Sequence, residues 1–317
     1  AAGINFSLID HCYNFTNELF LAANSTRSLL SLISVLISIP VIALRIAQCY
    51  KRSDLIKHTD RLMVYACIAT TLYASVESIQ FVRIWNWDVA CTVVGMFVEY
   101  TSVSVLVITA CIGGHLMVLI WQTRCMKRAP DNTDKYKRHE VIYVFLTFLL
   151  PLLFIPWPFI HASYGQSGAF CWISFANDDC KPDWNHLVIT IMLYYVWMVM
   201  VGPFTLVVAV TVVATLCLRK SQKVRCSTYA VLFYMMAFFM SFLVNIIGGV
   251  LLLNDTSTVS YLMIQVISEP FFTIFTTAIL LVQLCWSKCH TRSHKKFVFD
   301  HDADRFEESQ LIRATVQ

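Results

Sequence analysis

The chain has 317 residues, of which 57% are hydrophobic and only 14% charged, with a formal net charge of +4. That composition excludes a soluble module of useful size and reads as an all-α membrane protein with one compact domain. The small basic excess needs no nucleic-acid partner; contact with anionic membrane lipid or an acidic partner accounts for it.

In chain order, the first 28 residues are polar and carry Asn-X-Ser/Thr triplets at Asn5, Asn14 and Asn24, with Cys12 among them. They show no cleavable signal peptide, so the first apolar stretch is expected to act as the signal anchor. The chain opens on Ala, as a trimmed or incomplete chain does. Seven apolar stretches follow, predicted as helices over 29–49, 62–82, 89–122, 141–161, 187–218, 228–253 and 260–285. Each reaches the roughly 20 residues needed to cross ~30 Å of hydrocarbon. Lipid offers no hydrogen bonds, so a helix is the form that satisfies their backbone internally. The expected division is an N-terminal segment 1–28, a seven-helix bundle 29–285 and a tail 286–317.

Seven crossings put the termini on opposite sides, and charge sets the direction. The connection after helix 1 holds Arg45, Lys51, Arg52, Lys57 and Arg61. The one after helix 3 holds Arg124, Lys127, Arg128, Lys135, Lys137 and Arg138, and the one after helix 5 holds Arg219, Lys220, Lys223 and Arg225. With six more in the tail, these are 21 of the 24 basic residues, leaving Arg27, Arg83 and Lys181 for the other side. Positive charge stays cytoplasmic, so the N-terminus is expected outside. The fourth triplet, at Asn254, falls on that same side, and the basic loops have none. All four asparagines are candidate glycosylation sites.

The 12 cysteines divide by compartment. Cys12, Cys91, Cys171 and Cys180 fall outside, where disulfides persist. Four cysteines allow three pairings. Cys91 opens helix 3 and Cys171 lies mid-way along the longest outer connection, so their bond would pin that connection across the bundle mouth; Cys12–Cys180 is the companion pairing. Cys67 and Cys111 read as core residues. Cys285 and Cys289, at the inner end of helix 7, are either palmitoylated or plain reduced thiols. After them the tail runs Trp286-Ser287-Lys288-Cys289-His290, stays basic to Lys296 and shows Phe297-Val298-Phe299. That suits a short amphipathic helix on the inner leaflet, or a basic linker. Beyond Asp300 the tail turns acidic.

These features together resemble the G-protein-coupled receptor superfamily. They are an outer N-terminus with glycosylation triplets, Cys91 opening helix 3, a partner cysteine in the second outer loop, and basic inner loops. The resemblance covers essentially the whole chain, as architecture. The rhodopsin-like class fits poorly: its Asp-Arg-Tyr is replaced by Gly113-Gly114-His115-Leu116-Met117-Val118, and its Asn-Pro-x-x-Tyr by Ser268-Glu269-Pro270-Phe271-Phe272. Helix 7 carries no Lys, which excludes an opsin-type retinal Schiff base. Cys171-Trp172 looks more like the slime-mould cyclic-AMP-receptor-like and secretin/adhesion groups, although the Gln-Gly of helix 7 in the former is missing. The short N-terminus makes the cyclic-AMP-receptor-like group the nearer of the two. The resemblance implies an extracellular ligand, a heterotrimeric G protein as partner, and inner loops that face it, with Arg124, Lys127, Arg128, Arg219, Lys220, Lys223 and Arg225 foremost.

Ionisable groups inside membrane helices are costly and mark function by default. Glu77, Glu99 and Glu269 qualify. At 1.5 Å rise per residue they lie roughly 8, 12 and 13 Å below the outer surface. Helices 2, 3 and 7 are neighbours in the resembled fold, so the three carboxyls are expected to share one outer cavity. Asn245 and Gln265 lie at similar depth, and Tyr100 follows Glu99. Such a cluster needs compensation: a proton, a bound cation or cationic ligand, or Arg83 reaching down. The alternative is that each Glu is separately hydrogen-bonded to Ser, Thr or Tyr. Above lie Trp85, Trp87, Trp172 and Trp184, either interfacial anchors or a ligand vestibule. Arg83 would suit an anionic ligand group.

Pro203 and Pro270 favour kinks in helices 5 and 7, and Gly113-Gly114 and Gly248-Gly249 read as packing positions. The histidines lack metal-ligand spacing, and no catalytic constellation or cofactor motif is present. The expected function is a cell-surface receptor coupled to a heterotrimeric G protein. The alternative is a small transporter or channel with a glutamate proton or cation relay, which the absence of internal repeats disfavours.

Overall fold

The structure is a computed structural model that describes residues 17–51, 58–80, 88–125, 133–161, 164–167, 170–173, 184–218, 226–253, 264 and 266–285. Seven of its helices are long and apolar enough to cross a membrane. They are α1 (Asn17–Lys51), α2 (His58–Ile79), α3 (Asp88–Cys125), α4 (Thr133–Leu149), α5, α6 (Cys226–Leu253) and α7 (Val266–Cys285). A 3-10 turn, Leu150–Leu153, and a short helical piece, Pro156–Ile160, extend α4. Helix α5 runs in three pieces: Trp184–Thr190, a π-helical turn Ile191–Tyr195, and Val196–Leu218. Between α4 and α5 lies a hairpin of β1 (Tyr164–Ser167) and β2 (Phe170–Ile173). It is antiparallel, with Gly165 opposite Trp172 and Gln166 opposite Cys171.

The breaks have local causes. Proline lacks an N–H and clashes with the preceding turn, and α4 meets Pro151, Pro156 and Pro158 in succession; each extension starts with a proline in its first turn. Pro40 and Pro203 are carried inside continuous helices.

Helix α1 begins at Asn17, not at residue 29. The polar stretch that looked like a tail is the inner face of a helix. Asn24, Ser28, Ser31, Ser34 and Ser38 are all buried, and Ser28 Oγ donates to the Glu77 carbonyl at 3.2 Å. Hydropathy reads such residues as solvent-loving, but within lipid small polar side chains face other helices and let backbones approach. The apolar residues turn the other way: Leu36, Ile39, Trp157, Ile160 and Met200 are well exposed, as a lipid-facing surface requires.

Helix α3 is the hub. Buried residues make up 72% of its spanning window against 17% for α4, and it packs on α2, α4, α5 and both strands. Helix α7 is held to α1 by Ser38–Thr277 hydroxyls at 2.6 Å and to α2 by Thr273 donating to the Thr70 carbonyl at 3.4 Å. Gly113 is a true packing position: a Cβ there would stand 2.7 Å from Phe204 Cε1. Gly114 is not, since a Cβ there meets nothing within 4 Å.

Candidate functional site

One face of α3 organises the hairpin end of the bundle. Cys91, Gly95 and Glu99 are spaced four apart, so they line up along the helix. Cys91 is disulfide-bonded to Cys171. One turn down, Gly95 leaves room for the strands; a Cβ there would come to 3.3 Å from both the Trp172 carbonyl oxygen and Tyr164 Cδ1. One turn further, the Trp172 indole Nε1 donates to Glu99 Oε2 at 2.8 Å. The hairpin is thus clipped to α3 twice. Trp172 also sets its ring edge-on to Tyr194 of α5, centroids 5.0 Å apart. Burial holds the Tyr164 phenol of β1 well above its ordinary pKa range, so it stays protonated.

The second feature is an ion group built from three helices. Arg27 of α1 lies between Glu77 of α2 and Glu269 of α7. Its Nε stands 2.6 Å from Glu77 Oε2, an ion contact without the alignment of a hydrogen bond. Its Nη2 donates to Glu269 Oε2 and, at 3.2 Å, to the Tyr73 hydroxyl. Tyr73 in turn donates to Glu269 Oε2 at 2.8 Å. Two carboxyls therefore share one guanidinium, whose planar fork suits that task.

Beside this group residues of five helices line a small, partly open cavity. Thr70 and Tyr73 come from α2, Ser102 from α3, Tyr194 and Met198 from α5, Phe238, Ser241 and Asn245 from α6, and Glu269 and Phe272 from α7. The wall is polar on the Glu269–Asn245 side and apolar on the Phe238–Phe272 side. A ligand that fits has hydrogen-bonding groups on one edge and an apolar body.

The sequence-predicted residues divide accordingly. Glu269 and Asn245 line the cavity; Trp172 meets the lining residue Tyr194 edge-on. Glu77 joins Glu269 through Arg27 without reaching the lining, and Glu99 stands apart under Trp172. The single shared site for three carboxyls is thus two sites. Tyr100 points away: its hydroxyl donates to the Phe148 carbonyl of α4 at 2.9 Å, which occupies it outside the cavity. Arg83 and Gln265 lie outside the described residues, and Arg27 holds the pairing position that was expected of Arg83. Asn24 is 2% exposed within α1, its Nδ2 against the Gln80 carbonyl at 3.5 Å, so it offers no surface amide for a glycan. Asn5, Asn14, Asn254, Cys12, Cys180 and Cys289 lie outside the described residues, as do the tail with its expected amphipathic helix and Lys127, Arg128, Arg219, Lys220, Lys223 and Arg225. Arg124 falls in the last turn of α3. Cys285 is an exposed free thiol at the end of α7, while Cys67 is buried.

The residues that reading the sequence missed are Arg27, Tyr73 and Tyr194. Arg27 had a signal: Leu19-Phe20-Leu21-Ala22-Ala23 precedes it and continues the helix backwards. The opposite end of the bundle holds further pairs. Arg45, counted with a loop, is 2% exposed in α1 and reaches Asp60 at 3.4 Å and Gln48 Oε1 at 2.6 Å. Glu140 of α4 takes Arg61 at 3.2 Å and the Tyr65 hydroxyl at 2.8 Å.

No protein-family model matches the chain, and no characterised protein matches it in sequence. What the bundle carries as chemistry is therefore the basis for its function.

Proposed function

We propose that this seven-helix membrane protein is a cell-surface receptor. In this reading it takes a small extracellular ligand into the cavity between α2, α3, α5, α6 and α7 and passes the signal to a heterotrimeric G protein at its basic end. The observation that carries the reading is the hairpin bonded to α3 through Cys91–Cys171, with Trp172 against Tyr194, a residue of the cavity lined by five helices. The basic loops support an orientation with the hairpin end outside. In class, Cys171-Trp172 favours the cyclic-AMP-receptor-like group.

Signalling follows from a population shift: a ligand with higher affinity for one arrangement of the helices favours that arrangement. The ion group is a natural element to rearrange, since it joins α1, α2 and α7. Glu269 and Asn245 would hold the polar edge of the ligand, and Phe238 and Phe272 its apolar body.

The test is a ligand screen on cells expressing the full chain, read by G-protein dissociation. The expected result is a ligand whose response is lost in Glu269→Gln and Asn245→Ala at unchanged surface expression. Absence of G-protein dissociation, together with solute uptake by the purified protein in proteoliposomes, would overturn the receptor reading in favour of a transporter.

A further inference from the structure

Three carboxyls lie inside the hairpin half of the bundle, and the two that share Arg27 are compensated by it. The third is not. Glu99 is fully buried. Its Oε2 accepts one hydrogen bond, from the neutral indole of Trp172, and its Oε1 has no hydrogen-bond partner among the described residues. The groups facing it are Tyr164 from β1, Trp172 from β2 and Tyr194 from α5, with Tyr73 of α2 packed just above. All four are neutral. Among the described residues no ion pair reaches Glu99, and Arg27 is engaged by Glu77 and Glu269. On α3 itself the neighbours along the face are a disulfide sulfur and a glycine.

We propose that Glu99 is a proton-binding site, loaded while Trp172 is seated on it and emptied when the indole lifts away. A fully buried carboxyl whose one partner among the described residues is a neutral donor takes a proton rather than keep its charge. The contacts suit the acid form. Trp172 N–H is donor-only, so it serves the carbonyl oxygen Oε2 of a neutral acid as readily as a carboxylate, and the proton occupies Oε1. The site is built into the hairpin: the indole follows directly after Cys171, which stays tied to Cys91, so Trp172 leaves Glu99 by turning about that bond. Once it turns, water reaches the carboxyl and the proton departs to solvent. The seated form therefore binds one proton more than the lifted form. Acid favours seating, alkali favours lifting, and the ratio of lifted to seated changes by up to about tenfold per pH unit. This holds whether the protein signals or transports.

Infrared difference spectroscopy of the full chain in lipid nanodiscs tests it. The expected result at neutral pH is the carbonyl-stretch band of a protonated carboxyl that disappears in Glu99→Gln and persists in Glu269→Gln. Gln copies the neutral acid in shape and charge, so this variant retains the fold. Trp172→Phe removes the indole donor and keeps the ring, so the same band moves to higher wavenumber; that variant reports on the site even where Glu99→Gln accumulates poorly. A band unchanged in both Glu99→Gln and Trp172→Phe, or no such band in the wild-type protein at neutral pH, overturns the proposal.

Discussion

Arg27 of α1 and Glu269 of α7 stand 242 residues apart in sequence and form an ion pair that closes the ring of helices. The same guanidinium reaches Glu77 of α2 through a different nitrogen. Breaking one partner from a buried ion group leaves charge without compensation, at a cost of about 3–5 kcal/mol. Arg27→Ala is expected to lower stability by that order, measured by thermal unfolding of the purified protein in lipid. Arg27→Lys recovers less than half, because one ammonium cannot reproduce a fork that faces two carboxyls. Adding Glu269→Gln to Arg27→Ala costs less than the sum of the two single changes, since both disrupt one contact. Full additivity would deny the pair.

The two glycines at the middle of α3 are expected to behave oppositely. Gly113→Ala drives a methyl against Phe204 and Met235, and overpacking of that kind costs about 1–3 kcal/mol. Gly114→Ala meets nothing and stiffens the helix, a gain of roughly 0.5–1 kcal/mol from helix propensity. Unfolding of the two variants side by side checks the sign of each.

At the basic end, the Glu140 contacts with described residues include one ionic partner, Arg61, and one neutral partner, Tyr65. Arg61 is 30% exposed, and ion pairs open to solvent contribute about 0–1 kcal/mol. Tyr65→Phe removes the 2.8 Å hydrogen bond to the Glu140 carboxylate, worth about 1.5–3 kcal/mol for a charged acceptor. The expected order of destabilisation is Tyr65→Phe at or above Arg61→Ala. The reverse order would make the α2–α4 tie chiefly electrostatic, and a salt titration of stability would then show it.

Asn24 sits in a glycosylation triplet but inside the bundle. Asn24→Gln is therefore expected to leave the glycoform pattern unchanged in a gel-mobility assay with and without glycosidase. A loss of one glycan unit in that variant would place residue 24 at the surface and move the start of α1.

The seven spans were legible because lipid imposes one rule, a run of about 20 apolar residues, that composition alone displays. The Cys91–Cys171 link was legible from position, one cysteine opening a helix and the other centred on a loop. The start of α1 was not, because Asn24, Ser28 and Arg27 carry a polar signature whose burial depends on what α2 and α7 place opposite them. Depth estimates placed Glu77, Glu99 and Glu269 at one level but gave no azimuth. Rotation about each helix axis decides that Glu77 and Glu269 meet at Arg27 while Glu99 turns under Trp172.

The wide turn at Ile191–Tyr195 divides α5 into two lengths whose registers are independent. Above it lies the length Trp184–Thr190; below it Val208 and Val212 fit the deep core. Removing one residue from the turn would restore ordinary winding and swing the upper length by about 100°, while the lower length kept its place. Tyr194 and Tyr195, both within the turn, would be redirected by the same stroke. A lineage of such proteins thus has, in one codon of one helix, a means to reshape the cavity wall without disturbing the fold beneath it.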